Sequence, residues 1–164
     1  MLGNVNSGVM NLNDAGRMVD AAWSQMPIRF PALQLDEHVT MPNHFHGIIQ
    51  IIGAPLVGAP AWDAPTGRAG TRPALTLGDA VGAFKSLTTD EYIMGVHQLD
   101  WPRFQNRFWQ RNYYDHVIRD QEELEKIREY VRQNPLMWTC DRFNPDNPVL
   151  VVDETGALVP WSES

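Results

Sequence analysis

Met41-Pro-Asn-His-Phe-His-Gly-Ile-Ile-Gln-Ile-Ile52 is the stretch that decides the fold of this 164-residue chain. Its Ile-Ile-Gln-Ile-Ile run predicts an extended strand, in which successive side chains point to opposite faces. On such a strand His44 and His46 lie side by side on one face, and Phe45 points the other way. Neutral imidazole is a common ligand of divalent metals, so this strand predicts half of a metal site.

Length and composition limit the class of protein to which this strand belongs. A chain of 164 residues with 43% hydrophobic residues fits one folded domain, residues 1–164. The single cysteine, Cys140, excludes an internal disulfide and a multi-cysteine zinc module. The first residues show no signal-peptide pattern, and no run of 18 apolar residues occurs. We therefore expect a cytoplasmic protein without a membrane partner.

The charge of the chain is unevenly distributed. A net charge of -7 opposes non-specific attraction to nucleic acid. Residues 101–142, however, carry a small excess of basic over acidic groups, with aromatic side chains interleaved among the arginines. This mixture suits stacking on unpaired bases and contact with phosphates. It suits equally well an aromatic core with a solvated arginine rim, and composition leaves both interpretations open.

The remaining periodicity predicts a small set of helices and strands. Residues 33–41 alternate like a half-buried strand and lie close enough to the histidine strand to pair with it in antiparallel fashion. Residues 53–74 are rich in Gly, Ala and Pro, which indicates a flexible loop. Residues 139–164 indicate an irregular tail with a short strand at 149–152. The other predicted elements are a strand at 9–12 and helices at 15–25, from Thr76 to about Tyr92, and from Asp120 to Asn134.

The last of these helices carries a second candidate site. Tyr130 and Asn134 are four residues apart, so a phenol and an amide lie one turn from each other on the same face. This geometry can bring a phenol and an amide oxygen to the same point in space. Tyr92 has no polar partner at the next turn, and the adjacent Tyr113 and Tyr114 would face different directions on a helix. Of the tyrosines, Tyr130 therefore fits this pairing best.

Together these motifs resemble a known family. A His-Phe-His strand with a tyrosine on a later helix, followed one turn on by a polar residue, resembles the HUH single-strand DNA nucleases. The ordered set resembles more closely the REP-associated single-tyrosine transposases. The matching segments are 41–47, Ala83-Phe-Lys-Ser86, Phe108-Trp-Gln110, Asp115-His-Val-Ile-Arg119 and Glu129-Tyr-Val-Arg-Gln-Asn-Pro135. The resemblance implies an α+β fold, with a ferredoxin-like antiparallel sheet and helices packed on one face.

The resemblance also implies a chemistry. His44, His46 and Asn134 would hold Mg²⁺ or Mn²⁺, which polarises the scissile phosphate as a Lewis acid. Tyr130 would attack that phosphate and form a 5′-phosphotyrosine, leaving a free 3′-hydroxyl. The expected partner is single-stranded DNA with hairpins formed by palindromic repeats. The candidate nucleic-acid contacts are Lys85, Arg103, Arg107, Trp109, Arg111, His116 and Arg119. A structural, hydrogen-bonded role for His116 is an equal alternative.

The chain departs from this family at its beginning. Relatives carry a first strand of the Tyr-Phe-Val-Thr type beside the histidine strand, and nothing before Val9 is expected to supply it. The resulting unpaired edge would favour pairing with another chain, so a homodimer is expected to be possible. Two alternatives to the transposase remain. One is a non-catalytic DNA-binding remnant, and the other is a metal-dependent phosphoesterase acting on small nucleotides.

Overall fold

A computed structural model describes residues 1–52 and 75–147, together with the backbone of residues 150–152 and 158–160. The flexible loop expected at 53–74 lies outside the described residues. The fold is α+β, as expected. Its strands are β1 (Gly3–Asn6), β2 (Val9–Leu12), β3 (Leu33–Thr40), β4 (Phe45–Ile51), β5 (Leu150–Val152) and β6 (Leu158–Pro160). Its helices are α1 (Asp14–Ser24), α2 (Met26–Arg29), α3 (Leu77–Gln98) and α4 (Gln121–Gln133), with a 3-10 turn at Trp138–Cys140.

The chain groups into two compact units. The first unit consists of Met1–Arg17, Glu37–Gly47 and Tyr114–Ser164, and the second unit of Met18–Asp36 and Ile48–Tyr113. Both candidate site segments predicted from sequence, the histidine strand from His44 to His46 and the tyrosine helix α4, belong to the first unit.

The N-terminal residues form an antiparallel hairpin of β1 and β2. Its two-residue turn, Ser7-Gly8, has φ angles of 51° and 76°, the left-handed conformation that suits a tight hairpin. A strand does precede Val9, but among the described residues it pairs with β2 and not with the histidine strand, beside which the resemblance places a first strand. The backbone of Leu2 reaches the loop before the histidine strand, because its N–H donates to the carbonyl of Pro42 at 2.7 Å.

The histidine strand β4 pairs with β3. The N–H of Met41 donates to the carbonyl of His44 at 2.9 Å, and the N–H of Ile52 donates to that of Ala32 at 2.8 Å. These bonds join the end of one strand to the start of the other, so the pair is antiparallel, as predicted. All the described strands pair two by two, and the described residues contain no four-stranded ferredoxin-like sheet. In the tail, β5 matches the short strand predicted at 149–152, and it pairs in antiparallel fashion with β6, which was not predicted.

Helix α4 begins and ends where its sequence signals predict. The carboxylate of Asp120 caps the first turn by accepting from the N–H of Glu123 at 2.8 Å, and Asn134 is the C-terminal cap. Val131 lies on the buried face, while Tyr130 is exposed. The helix therefore presents its tyrosine to solvent and buries its terminal amide, since Asn134 is only 4% exposed.

Helix α3 starts at the predicted capping box of Thr76 and Asp79 but continues beyond the predicted end at Tyr92. Gly95 explains the extension. It lies against the Trp101 ring, where an added Cβ would come within 2.3 Å of the ring, so the last turns of the helix are packed. No described helix is both long and apolar enough to cross a membrane.

An aromatic cluster covers α3 within the second unit. The ring of Tyr92 lies 4.5 Å from that of Phe108 and 5.2 Å from that of Trp101. Phe84 contacts Trp23 at 5.2 Å and Trp109 at 5.8 Å between ring centroids. Residues 101–113 contribute to this cluster without forming a helix or a strand. Aromatic burial therefore holds this segment in place.

Candidate active site

His44 and His46 lie together, as the strand alternation predicts. Their ring centroids are 4.9 Å apart at an interplanar angle of 85°. Phe45 points away from them and stacks on His38, with 5.9 Å between the centroids. The pair is largely enclosed, and the side chain of His44 is 13% exposed. Two imidazoles therefore share one sheltered position at the start of β4.

The tyrosine helix brings its two predicted residues to the same place. The Tyr130 ring contacts the His46 ring edge-on at 5.4 Å between centroids. Its own side chain is accessible, since Tyr130 is 57% exposed. Asn134 lies close enough to His44 to raise the pKa of that histidine. Residues predicted from two distant segments are thus assembled in one unit.

Two hydrogen bonds made by Asn43 fix the orientation of the His44 ring. Asn43 Nδ2 donates to the carbonyl of Phe143 at 2.5 Å, which turns Asn43 Oδ1 toward His44 Nδ1 at 2.9 Å. Because an amide oxygen only accepts, Nδ1 must carry the ring proton, and Nε2 is left with a lone pair. Asp141 faces this nitrogen, with Oδ2 at 3.6 Å from Nε2. The backbone N–H of Phe143 donates to the other oxygen, Oδ1, at 2.7 Å.

Burial keeps both histidines neutral near pH 7. It is the largest influence on the pKa of His46, which falls to about 4, and the neighbouring His44 lowers it further. Burial also lowers the pKa of His44, although Asp141 and Asn134 act in the opposite direction. The positive charge of Arg142 lowers both pKa values. Neutral imidazole is the form that binds a metal.

Two buried atoms in this cluster have no hydrogen-bond partner. They are His44 Nε2 and Asn134 Oδ1, which belong to two residues that the resemblance assigns to a metal site. A buried acceptor without a partner costs about 1–3 kcal/mol, so a bound cation would relieve an unfavourable arrangement. Within the described ranges, no three His, Cys, Asp or Glu side chains converge on a metal-sized point. The ligand set therefore depends on the Asn134 amide, and on that ground the residues fit a Mg²⁺ or Mn²⁺ ion.

The candidate DNA contacts of the second unit are divided between packed and exposed side chains. Lys85 donates to the carbonyls of Gln110 at 2.8 Å and Asn112 at 3.3 Å, and its ammonium lies 5.4 Å from the centre of the Tyr113 ring. Trp109 Nε1 donates to the buried Thr88 hydroxyl at 2.7 Å. These two side chains hold the 101–113 segment on α3. Arg103, Arg107 and Arg111 are exposed.

The two candidates of the first unit behave differently from each other. His116 Nε2 pairs with Glu123 Oε1 at 2.7 Å, and Glu123 also accepts from the N–H of Arg119 at 2.8 Å. His116 thereby ties the segment before α4 to its first turn, which corresponds to the structural alternative. The Arg119 side chain is exposed.

Sequence reasoning missed the residues that enclose the histidines. Trp138 and Phe143 flank His44, with ring centroids at 6.0 and 5.0 Å, and Asp141 lies between them in the chain. These residues follow the last predicted helix, in a segment without helical or strand periodicity, so no sequence pattern indicated that they lie near the histidines. Asn43 did carry a signal, because it directly precedes His44 within the quoted motif.

The chain is similar in sequence to a known protein. An uncharacterized protein of Haemophilus influenzae (strain ATCC 51907 / DSM 11121 / KW20 / Rd) is 36% identical over 156 residues. The match covers 89% of this chain and 78% of the relative. No family model matches the chain, and no solved structure matches it.

Proposed function

We propose that this chain, which belongs to the same family as the Haemophilus influenzae protein, nicks and rejoins single-stranded DNA through a covalent tyrosine intermediate. The proposed protein is a metal-dependent transposase with an HUH-type core. Its proposed substrate is single-stranded DNA carrying hairpins of palindromic repeats. The proposal rests on the sequence resemblance to REP-associated transposases and on the geometry of the first unit.

One observation carries the proposal. Tyr130, predicted as the nucleophile, contacts His46 at 5.4 Å between ring centroids and is 57% exposed. The other two predicted site residues, His44 and Asn134, contribute the two unpartnered buried acceptors beside them. Metal-assisted attack on a phosphodiester requires an accessible phenol next to acceptor groups that can bind a cation.

The proposed reaction exchanges one phosphodiester for another. Tyr130 Oη attacks phosphorus, its proton passes to solvent, and the bond from phosphorus to the 3′-oxygen breaks. The departing 3′-oxygen takes up a proton, and the 5′-phosphate remains on the tyrosine. A bound Mg²⁺ or Mn²⁺ would stabilise the negative charge that develops on the phosphate oxygens. Because the bond energy is conserved, attack by a 3′-hydroxyl can reverse the step and rejoin strands.

Other residues of the chain prepare this step. The lowered pKa values of His44 and His46 keep both imidazoles neutral, and the Asn43 amide holds the His44 ring in one orientation. Arg142 is near enough to both histidines to lower their pKa values, so its guanidinium can bind the incoming phosphate. The exposed Arg119 adds a second cation in the same unit.

A covalent-trapping experiment tests the proposal. The full chain is incubated with hairpin-bearing single-stranded DNA and Mn²⁺, and the protein–DNA adduct is resolved on a denaturing gel. We expect an adduct with the wild type and none with Tyr130→Phe. The matched control is Tyr114→Phe, which removes the hydroxyl of a tyrosine that is 87% exposed in the same unit and should keep the adduct.

The rivals give different results. A folded wild type that binds the DNA but forms no adduct would be a non-catalytic remnant. Hydrolysis of small nucleotides that survives Tyr130→Phe but is lost in His44→Ala would identify a phosphoesterase. Either outcome overturns the proposed strand transfer.

A further inference from the structure

The side chain of Asp141 has a role that the resemblance does not assign. Its Oδ1 accepts from the N–H of Phe143 at 2.7 Å, so this oxygen is committed to the backbone. Its Oδ2 is directed at His44 Nε2 at 3.6 Å. The carboxylate is 12% exposed, and the imidazole side chain 13%. A single carboxylate oxygen is therefore held, almost out of solvent, in front of one imidazole nitrogen.

The hydrogen-bonding roles make this contact unfavourable without a cation. Asn43 fixes the ring proton of His44 on Nδ1, so the Nε2 lone pair faces a carboxylate oxygen. A separation of 3.6 Å is too long for a hydrogen bond, and Nε2 makes none elsewhere. Two electron-rich atoms that face each other in a buried place repel. A cation bound by both would turn this repulsion into attraction.

The spacing allows a shared ion once the carboxylate moves closer. The described His and Asp side chains do not converge on one metal-sized point as they stand, and Asp141 Oδ2 lies 3.6 Å from His44 Nε2, so binding of an ion requires a rotation of the Asp141 side chain. The far side of each group is hydrogen-bonded to the protein: His44 Nδ1 to Asn43 Oδ1, and Asp141 Oδ1 to the N–H of Phe143. Such support is usual for the ligands of metal sites.

We propose that Asp141 is an additional ligand of the divalent metal, joining His44 and Asn134 through its Oδ2. This inference rests on the proposed metal-dependent function. It adds a negative charge to a ligand set that otherwise contains only neutral imidazole and amide groups. Oxygen ligands with charge favour Mg²⁺ and Mn²⁺ over softer ions, and the Asp141 carboxylate would supply that preference.

Metal binding without DNA tests the inference by a readout other than activity. Mn²⁺ affinity of the full chain is measured by calorimetry and by the electron paramagnetic resonance signal of free Mn²⁺. Asp141→Asn keeps the Oδ1 acceptor for Phe143 and removes the charge, and we expect it to weaken binding at least about tenfold. Asp146→Asn, an exposed acid five positions later, is the matched control and should stay within about twofold.

The outcomes separate the two proposals. If Asp141→Asn binds Mn²⁺ as tightly as the wild type while His44→Ala does not bind, Asp141 is no ligand and the inference is wrong, although the metal site stands. If the wild type itself binds no Mn²⁺, the metal-dependent function fails, and the inference fails with it.

A change of metal preference gives a second, independent measurement. In a chain carrying Cys140→Ser, Asp141→Cys places the only thiol at the proposed ligand position. Thiolate selects softer ions, so this variant should bind Cd²⁺ and show a cadmium–thiolate absorption band. The parent with Cys140→Ser alone should not show it. A folded Asp141→Cys variant without the band would also overturn the inference.

Discussion

Helices α3 and α4 both begin with a side-chain cap, and both carry residues expected to act on DNA, but their surroundings differ. Beside α3, the polar groups of two aromatic side chains find partners inside the protein: Trp109 Nε1 donates to Thr88, and the Tyr92 hydroxyl donates to the carbonyl of Pro102 at 2.9 Å. Beside the end of α4, Asn134 Oδ1 and His44 Nε2 find none.

This difference separates scaffold from candidate site. Buried polar groups in folded proteins are normally hydrogen-bonded, so a satisfied pair indicates packing, and an unsatisfied pair of acceptors supports the proposed metal site. Around α3 an aromatic and basic composition produces a core. Near the end of α4, a few polar residues keep acceptor groups that are not hydrogen-bonded within the protein. The number of basic and aromatic residues in a segment is therefore a weaker guide to function than the presence of buried polar groups without internal partners.

The largest expected effect tests the α4 side of the comparison. His46→Ala should lower the rate of DNA nicking about 10³-fold, equivalent to about 4 kcal/mol, because it removes a proposed metal ligand beside Tyr130. The measurement is single-turnover cleavage of hairpin DNA. His97→Ala, which removes an exposed histidine from α3, is the control and should change the rate less than twofold. Equal loss in both variants would remove the distinction between the helices.

The next effect tests the α3 side. Trp109→Ala should lower the free energy of unfolding by about 3 kcal/mol, since it opens a cavity in the aromatic cluster and leaves the Thr88 hydroxyl without its donor. Urea denaturation measures the loss. The affinity for single-stranded DNA should stay unchanged under conditions where the variant is folded. Unchanged stability with weakened DNA binding would show that Trp109 is a stacking platform after all.

A third test uses pH. The pKa of His46 is about 4 in the folded chain and near 6.5 when unfolded, so between these values the unfolded chain binds more protons. Stability should therefore be full above pH 6.5 and fall as the pH drops toward 4, by at most about 3 kcal/mol from this group. Urea denaturation at pH 7 and 4.5 should show a smaller difference for His46→Gln. An identical difference would mean that His46 is not buried in its neutral form.

The smallest expected effect concerns how α4 is held. Arg132 donates to Glu37 Oε1 of β3 through Nε at 3.0 Å and Nη2 at 2.8 Å. Both side chains are partly exposed, at 48% and 36%, so solvent screens the pair, and Glu37→Gln should cost only about 0.5 kcal/mol. A double-mutant cycle with Arg132→Gln measures the coupling. A loss of several kcal/mol would mean that this pair, rather than Val131, anchors the helix.

Much of the local structure was predictable from sequence. The caps at Thr76 and Asp120 satisfy helix ends through nearest neighbours, so their signals are local. Strand alternation likewise fixes the shared face of His44 and His46, and helical spacing places Tyr130 one turn from Asn134. Each of these relations spans only a few residues, and periodicity describes such relations well.

The enclosure of the site could not be predicted in this way. Asp141 and Phe143 meet His44 and Asn43 across about a hundred residues, and no periodic pattern encodes such a contact. The roles of Lys85 and Trp109 were also beyond composition, because the same side chains serve equally as core or as nucleic-acid contacts. The strand before Val9 was missed because four residues and a Ser-Gly turn give too short a signal.

The bond from Asn43 to Phe143 has a consequence for synthesis of the protein. The two residues are 100 positions apart, so the ribosome makes the histidine strand long before the residues that enclose it. Contacts of such sequence separation form slowly, because the entropy of closing a long loop must be lost before they form. A nascent chain that has not reached residue 143 therefore lacks the hydrogen bond from Asn43 to Phe143, which orients the His44 ring. Orientation of the His44 ring is among the last features of the fold to be acquired.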